Sequence, residues 1–197
     1  EGNWSAPPRQ GTVIGVFLQR WVVFTVTGLL GFVLVAVVPV ESQPRSDLEK
    51  GLNVFEKRAR SVPEPAVNQQ ALNRAIEHFE RAFHTASDSV VRRQSAGKLL
   101  LARYLKARFG DLPESRRVDL YRWGKDQGRS LVRRYPGSVP IFYHTAAHIG
   151  RWAEQTGIMS AAREGTAGEL RDLARKIIQL DPEYNGSAGH RLLARVH

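Results

Sequence analysis

The sequence predicts an all-α protein: one N-terminal transmembrane helix followed by a helical-repeat domain of about seven helices. Three observations carry this. Trp21 to Val40 is a run of twenty residues without one charge, and ~20 apolar residues at the helical rise cover the roughly 30 Å hydrocarbon core of a bilayer. Beyond it, apolar residues recur at spacings of three and four in one segment after another. No segment shows sustained apolar–polar alternation, and β-branched runs outside the span are short.

The chain divides into a polar arm (residues 1–12), a transmembrane signal anchor (13–40) and an extramembrane domain (41–197). Within the run only Thr25 and Thr27 are polar, so it lacks the polar stripe of a soluble helix. Trp21 opens it at headgroup level, and Arg20, one residue outside, can snorkel outward. A longer, tilted span from Val13 would instead bury Gln19 and Arg20, at a cost of several kcal/mol for the charge. Pro39 closes the run, and Glu41-Ser42-Gln43-Pro44 reads as an exit loop. Val37 to Val40 offers no small-residue cleavage site, so the segment is expected to be retained. Gly28 and Gly31 give a flat patch through which a neighbouring helix can approach. Trp4 and Pro7-Pro8 in the arm are expected to rest on neighbouring subunits. Arg9 and Arg20 before the span balance Arg45 and Lys50 after it, so local charge does not orient the helix.

The formal net charge is +10 and there is no cysteine, which excludes disulfides, thiolate metal sites and cysteine nucleophiles. The charge is spread, with Arg92-Arg93, Arg116-Arg117 and Arg133-Arg134 as the densest clusters. Such a surface is drawn to anionic lipid headgroups or acidic partner surfaces, and these six arginines are candidates to face a partner. No recognised motif accompanies the charge, so nucleic acid is not an expected partner.

In chain order, Ser46-Asp47-Leu48-Glu49 matches a capping box and opens a helix carrying Leu48, Leu52 and Phe55, which stops near Ser61. A second runs from about Pro65 to Ala86, with Leu72, Ala75, Ile76, Phe79, Ala82 and Phe83 on one face. A third covers about Ser89 to Phe109, burying Val91, Leu99, Ala102 and Leu105, and Gly110 ends it. The fourth, about Pro113 to Tyr135, carries Val118, Tyr121, Leu131 and Val132, with Gly124 and Gly128 small enough for close packing. The fifth spans about Val139 to Gln155 with Phe142, Tyr143, Ala146, Ile149 and Trp152. Thr166-Ala167-Gly168-Glu169 is a second capping box, opening a sixth helix through Leu180, and a seventh begins at Ser187. Short Pro/Gly connections imply antiparallel neighbours.

Ala75-Ile76-Glu77-His78-Phe79-Glu80-Arg81-Ala82 resembles the second helix of a tetratricopeptide repeat, and Leu170, Ala174, Ile177 and Pro182 fit the same frame. Phe142 to Trp152, Gly157 to Ala162 and Leu180 to Arg195 are together similar to the TRAP-transporter T-component family. The first repeat has Ser87 where proline is expected, and Ala194 stands where that family usually has glycine. The resemblance implies a tetratricopeptide-like, periplasmic helical protein on a bacterial inner membrane that acts through partners.

Chemistry is sparse. His144 and His148 share a helix face at i and i+4, but a zinc-protease helix would need glutamate where Thr145 stands. Two imidazoles hydrogen-bonded between helices are the expectation, and no metal or cofactor is expected. Phosphate-binding glycine loops and Gly-x-Ser-x-Gly are absent, so catalysis has no support. The function these features favour is a non-catalytic accessory or scaffold subunit of a larger respiratory, photosynthetic or transport complex. The alternative is a solute-binding module of a TRAP-type transporter, with a cavity lined by Tyr121, Phe142, Tyr143 and Trp152.

Overall fold

The computed structural model describes residues 42–59 and 67–196. The predicted arm and span, with Trp4, Arg20, Trp21, Gly28 and Gly31, lie outside them. Among the described residues all regular structure is helical, and no helix is long and apolar enough to cross a membrane.

Helix α1 covers Ser42–Glu56 and runs into a single 3-10 turn at Lys57–Ala59. It begins inside the predicted exit loop, so Ser46 lies within the helix and is not its cap. Pro44 is tolerated because first-turn N–H groups have no intrahelical partner to lose. Helix α2 (Gln69–Thr85) starts later than expected, at Asn68, whose side chain accepts from the Ala71 amide at 3.0 Å. Asp88 caps α3 (Ser89–Phe109) in the same way, accepting from the Val90 amide at 2.7 Å.

Helix α4 covers Glu114–Arg134 and α5 covers Val139–Thr156, close to their predicted limits. A short helix, α6 (Ile158–Arg163), was not expected; it lies between Gly157 at φ 88° and Gly165 at φ 68°. Gly165 is also the cap of α7 (Thr166–Leu180), so the predicted Thr166 capping box does not form. Its glutamate, Glu169, pairs with Arg129 of α4 instead. Helix α8 covers Tyr184–Arg195, but Asn185, Gly186 and Ser187 are left-handed, at φ 48°, 62° and 58°. Its regular part therefore begins at Ala188, next to the predicted Ser187 start.

The long helices pack in sequence order, α1 on α2, α2 on α3, and so on through α7 on α8. Every second one also meets across one face: α1 with α3, α3 with α5, and α5 with α8. The core forms connected clusters along this array. Leu48, Phe55, Leu72, Phe79 and Leu99 join α1 to α3, and Leu100, Leu131 and Ile141 join α3 to α5. Phe142, Ile149, Leu173 and Ile177 join α5 to α7. Burying each such side chain contributes about 1.5–3 kcal/mol. Gly124 and Gly128 let α4 lie against α5, where a Cβ would overlap the His148 ring and the Thr145 side chain respectively.

Candidate functional site

The helices that meet along one face enclose an open groove of about 680 Å³. Helical spacing explains its lining. Leu48 and Leu52 stand four apart on α1, and Arg93, Gly97 and Leu101 stand four apart on α3, so each set faces one way. Gln94 and Lys98 form the neighbouring row on α3. The first turn of α5 adds Val139 and Pro140, with His144 one turn further on. Asp181, just after α7, and Tyr184, the first residue of α8, also line it.

Arg93 is exposed and Lys98 half-buried, and neither has an ion pair among the described residues. Asp181, the carboxylate that lines the groove, is engaged by its own turn, accepting from the Glu183 amide at 3.1 Å. Burial holds the His144 imidazole far below its usual value, at about 3, and the charges of His148 and Lys98 push the same way. His144 is thus neutral at pH 7, and the field in this part of the groove is positive.

His148 lies deeper. Its Nε2 is 3.0 Å from the Leu100 carbonyl, to which it donates, and its Nδ1 is buried without a partner against Gly124. Burial lowers its pKa to about 4, with the Leu100 hydrogen bond opposing. Tyr104 and Tyr121 stand edge-on to the ring at 5.7 and 6.0 Å. With Nε2 engaged and Nδ1 against a backbone, this imidazole is placed as a packing element. Among the described residues no group of three or more His, Asp or Glu side chains is arranged to hold a metal ion.

The four aromatics predicted to line one cavity are divided. Phe142 and Tyr143 belong to the α5–α7 cluster, while Tyr121 and Trp152 pack in another with Ala107. Tyr143 reaches the groove only indirectly, through its edge contact with Tyr184 at 5.6 Å. The helical-period aromatics are core, and the groove is floored by leucines.

The six arginines also separate. Arg92 donates to the Ala86 carbonyl at the end of α2. Arg117 donates to the Leu112 carbonyl at 3.0 Å and the Gly110 carbonyl at 3.3 Å, holding the α3–α4 turn. These two half-buried arginines hold turns of the fold through their hydrogen bonds. Arg93, Arg116, Arg133 and Arg134 are exposed, and only Arg93 lines the groove.

Sequence reasoning missed Lys98 and the floor as a site. The signal available was the row Arg93–Gly97–Leu101, which sets a cation beside a gap and an apolar residue on one helix face. No protein-family model, curated protein or solved structure matches the chain. What the groove can do is therefore argued from its own chemistry: leucine side chains, and the cations Arg93 and Lys98, which have no ion pair among the described residues.

Proposed function

We propose that this chain is a membrane-anchored, non-catalytic accessory subunit that stabilises or assembles a larger membrane protein complex. The observation that carries the reading is the groove along the face where α1, α3, α5 and α8 meet. A surface built by every second helix is what stacked helix hairpins offer to a partner, and the packing order supports a tetratricopeptide-like array. The uncharged run Trp21–Val40 supplies the anchor, with Gly28 and Gly31 facing a neighbouring helix. On this reading the domain lies on the periplasmic side of a bacterial inner membrane, as the T-component resemblance implies. Its partners are other membrane subunits and, through the remaining exposed arginines, anionic lipid. Extraction in mild detergent followed by size exclusion should give a particle containing other subunits. A clean monomer would overturn the proposal. Gly28→Leu with Gly31→Leu should release those subunits while the helical domain stays folded by circular dichroism.

The groove volume also favours a second reading, since small-molecule sites span roughly 300–1,000 Å³. A solute-binding module would take its ligand here and not among the four aromatics. Calorimetric titration with small carboxylates distinguishes the two.

A further inference from the structure

The start of α5 carries polar groups that the fold leaves without partners. Ser138 precedes the helix, yet its hydroxyl makes no cap hydrogen bond, and the residue is only 8% exposed. His144, also 8% exposed, has no hydrogen-bond partner among the described residues. The Val139 amide, first in the helix, has none either, and Pro140 brings no N–H. Native proteins leave few buried polar groups unsatisfied, and each exception asks for a reason. Ser138, Val139 and His144 all line the groove. There α5 meets α3: a Cβ at Gly97 would lie 3.7 Å from the Pro140 and Ile141 side chains, and Lys98 is the next residue. The Lys98 charge acts on the His144 ring. An ammonium, a hydroxyl, an amide and a neutral imidazole thus offer donors, and no group among the described residues accepts from them.

That set fits one kind of ligand group. An ionised carboxylate is acceptor-only, with about four lone-pair sites on two oxygens, and a helix N-terminus favours negative charge. Asp181 offsets one of the groove's two cations and His144 is neutral, so a single negative charge completes the balance. The groove, at about 680 Å³, is far larger than a carboxylate alone, and Leu48, Leu52 and Leu101 give the remainder an apolar lining. We propose that the groove binds a small monocarboxylate with an apolar body, its carboxylate held by Lys98, Ser138, His144 and the Val139 amide. The apolar body lies along the leucines. The proposal rests on the solute-binding reading and names the class of solute.

The test is calorimetric titration of the full chain in detergent micelles with hexanoate, each titration corrected for the same ligand added to empty micelles. Hexanamide, of the same shape without the charge, and adipate, with a second carboxylate in place of the apolar end, are the comparisons. Hexanoate should bind, and each comparison should bind at least about tenfold more weakly. Lys98→Met, which keeps the stem and removes the charge, should bring hexanoate down to the level of hexanamide. Ser138→Ala should weaken hexanoate binding without lowering the urea midpoint, because the hydroxyl caps nothing. It carries the test if Lys98→Met disturbs folding. Arg133→Gln removes an exposed cation outside the groove and should leave binding intact. Equal or tighter binding of adipate, equal binding of hexanamide, unchanged affinity in Ser138→Ala, or a loss in Arg133→Gln equal to that in Lys98→Met would overturn the proposal. Binding of hexanamide with failure of hexanoate would overturn it too, and leave the solute-binding reading standing. Failure of all three ligands would remove both.

Discussion

Gly124 and Gly128 show how much one hydrogen in place of a methyl can set. A Cβ at Gly124 would overlap the buried His148 ring, and one at Gly128 would overlap Thr145, whose hydroxyl already donates to the Ile141 carbonyl at 2.7 Å. Gly124→Ala should therefore cost about 1–3 kcal/mol by overpacking. Gly150→Ala, where nothing lies near the new methyl, should gain up to about 1 kcal/mol because alanine is the better helix former. Urea midpoints of the two variants check this, and a Gly124→Ala protein as stable as wild type would refute the close approach. The glycines were legible in the sequence as a small pair at i and i+4, because close helix contact leaves that pattern. What they pack against was not, since no local signal links Gly124 to His148. The histidines themselves make stability pH-dependent. An unfolded imidazole takes its proton near 6.5, whereas folded His148 does so only near about 4. Between those values the unfolded state binds more protons, so stability is full at neutral pH and falls as pH drops through this window. The loss is roughly 3 kcal/mol for one such group, and His144 adds to it over a similar range. Denaturation at pH 7 and pH 4.5 should show a drop that is smaller in His148→Gln.

Between elements, the junction of α4 with α7 and with the turn that precedes it is held by charge. Lys125 is 4% exposed, its ammonium 3.8 Å from the Trp152 ring centre and 2.6 Å from Glu164. Arg129 reaches Glu169 through Nε at 2.9 Å and Nη2 at 2.7 Å. The Lys125 hydrogen bond, against some burial, holds the Glu164 carboxyl below its usual range. Glu164→Gln leaves a buried ammonium with less compensation and should cost about 1–2 kcal/mol, discounted because Glu164 is 38% exposed. Lys125→Met keeps the stem on Trp152, so adding it to Glu164→Gln should recover most of the loss in a double-mutant cycle. Independent, additive losses would rule out the coupling. This junction was not legible, because Glu169 reads locally as half of a capping box and the structure spends it on Arg129. At α1 the error ran the other way. Pro44 looked like an exit-loop residue, yet a proline in a first turn fits a helix as well as a loop. The periodic faces of α2, α4 and α5 were read correctly, since burial on one side imposes the 3.6-residue repeat.

At the scale of the molecule, the all-α class was legible from periodicity alone, and the groove was not, because it needs α1, α3, α5 and the α7–α8 turn at once. The anchor remains a sequence inference lying outside the described residues, which is why the Gly28 and Gly31 substitutions carry its test. The packing order has a consequence in time. Each long helix packs on its sequence neighbours, α4 and α7 are bridged through α5, and α1, α3, α5 and α8 also meet their next-but-one partners, so the core is built from segments close in sequence. Little loop-closure entropy precedes each contact, and folding should be fast and local. As the chain emerges from the ribosome, α1 and α2 can close on each other before α7 exists, shielding leucines that would otherwise attract neighbouring nascent chains. Once the array is complete its ends have neighbours on one side only, so hydrogen exchange should show amides of α1 and α8 opening at lower free energy than those of α3 and α5. A single opening energy across all of them would mean that the array stands or falls as one unit.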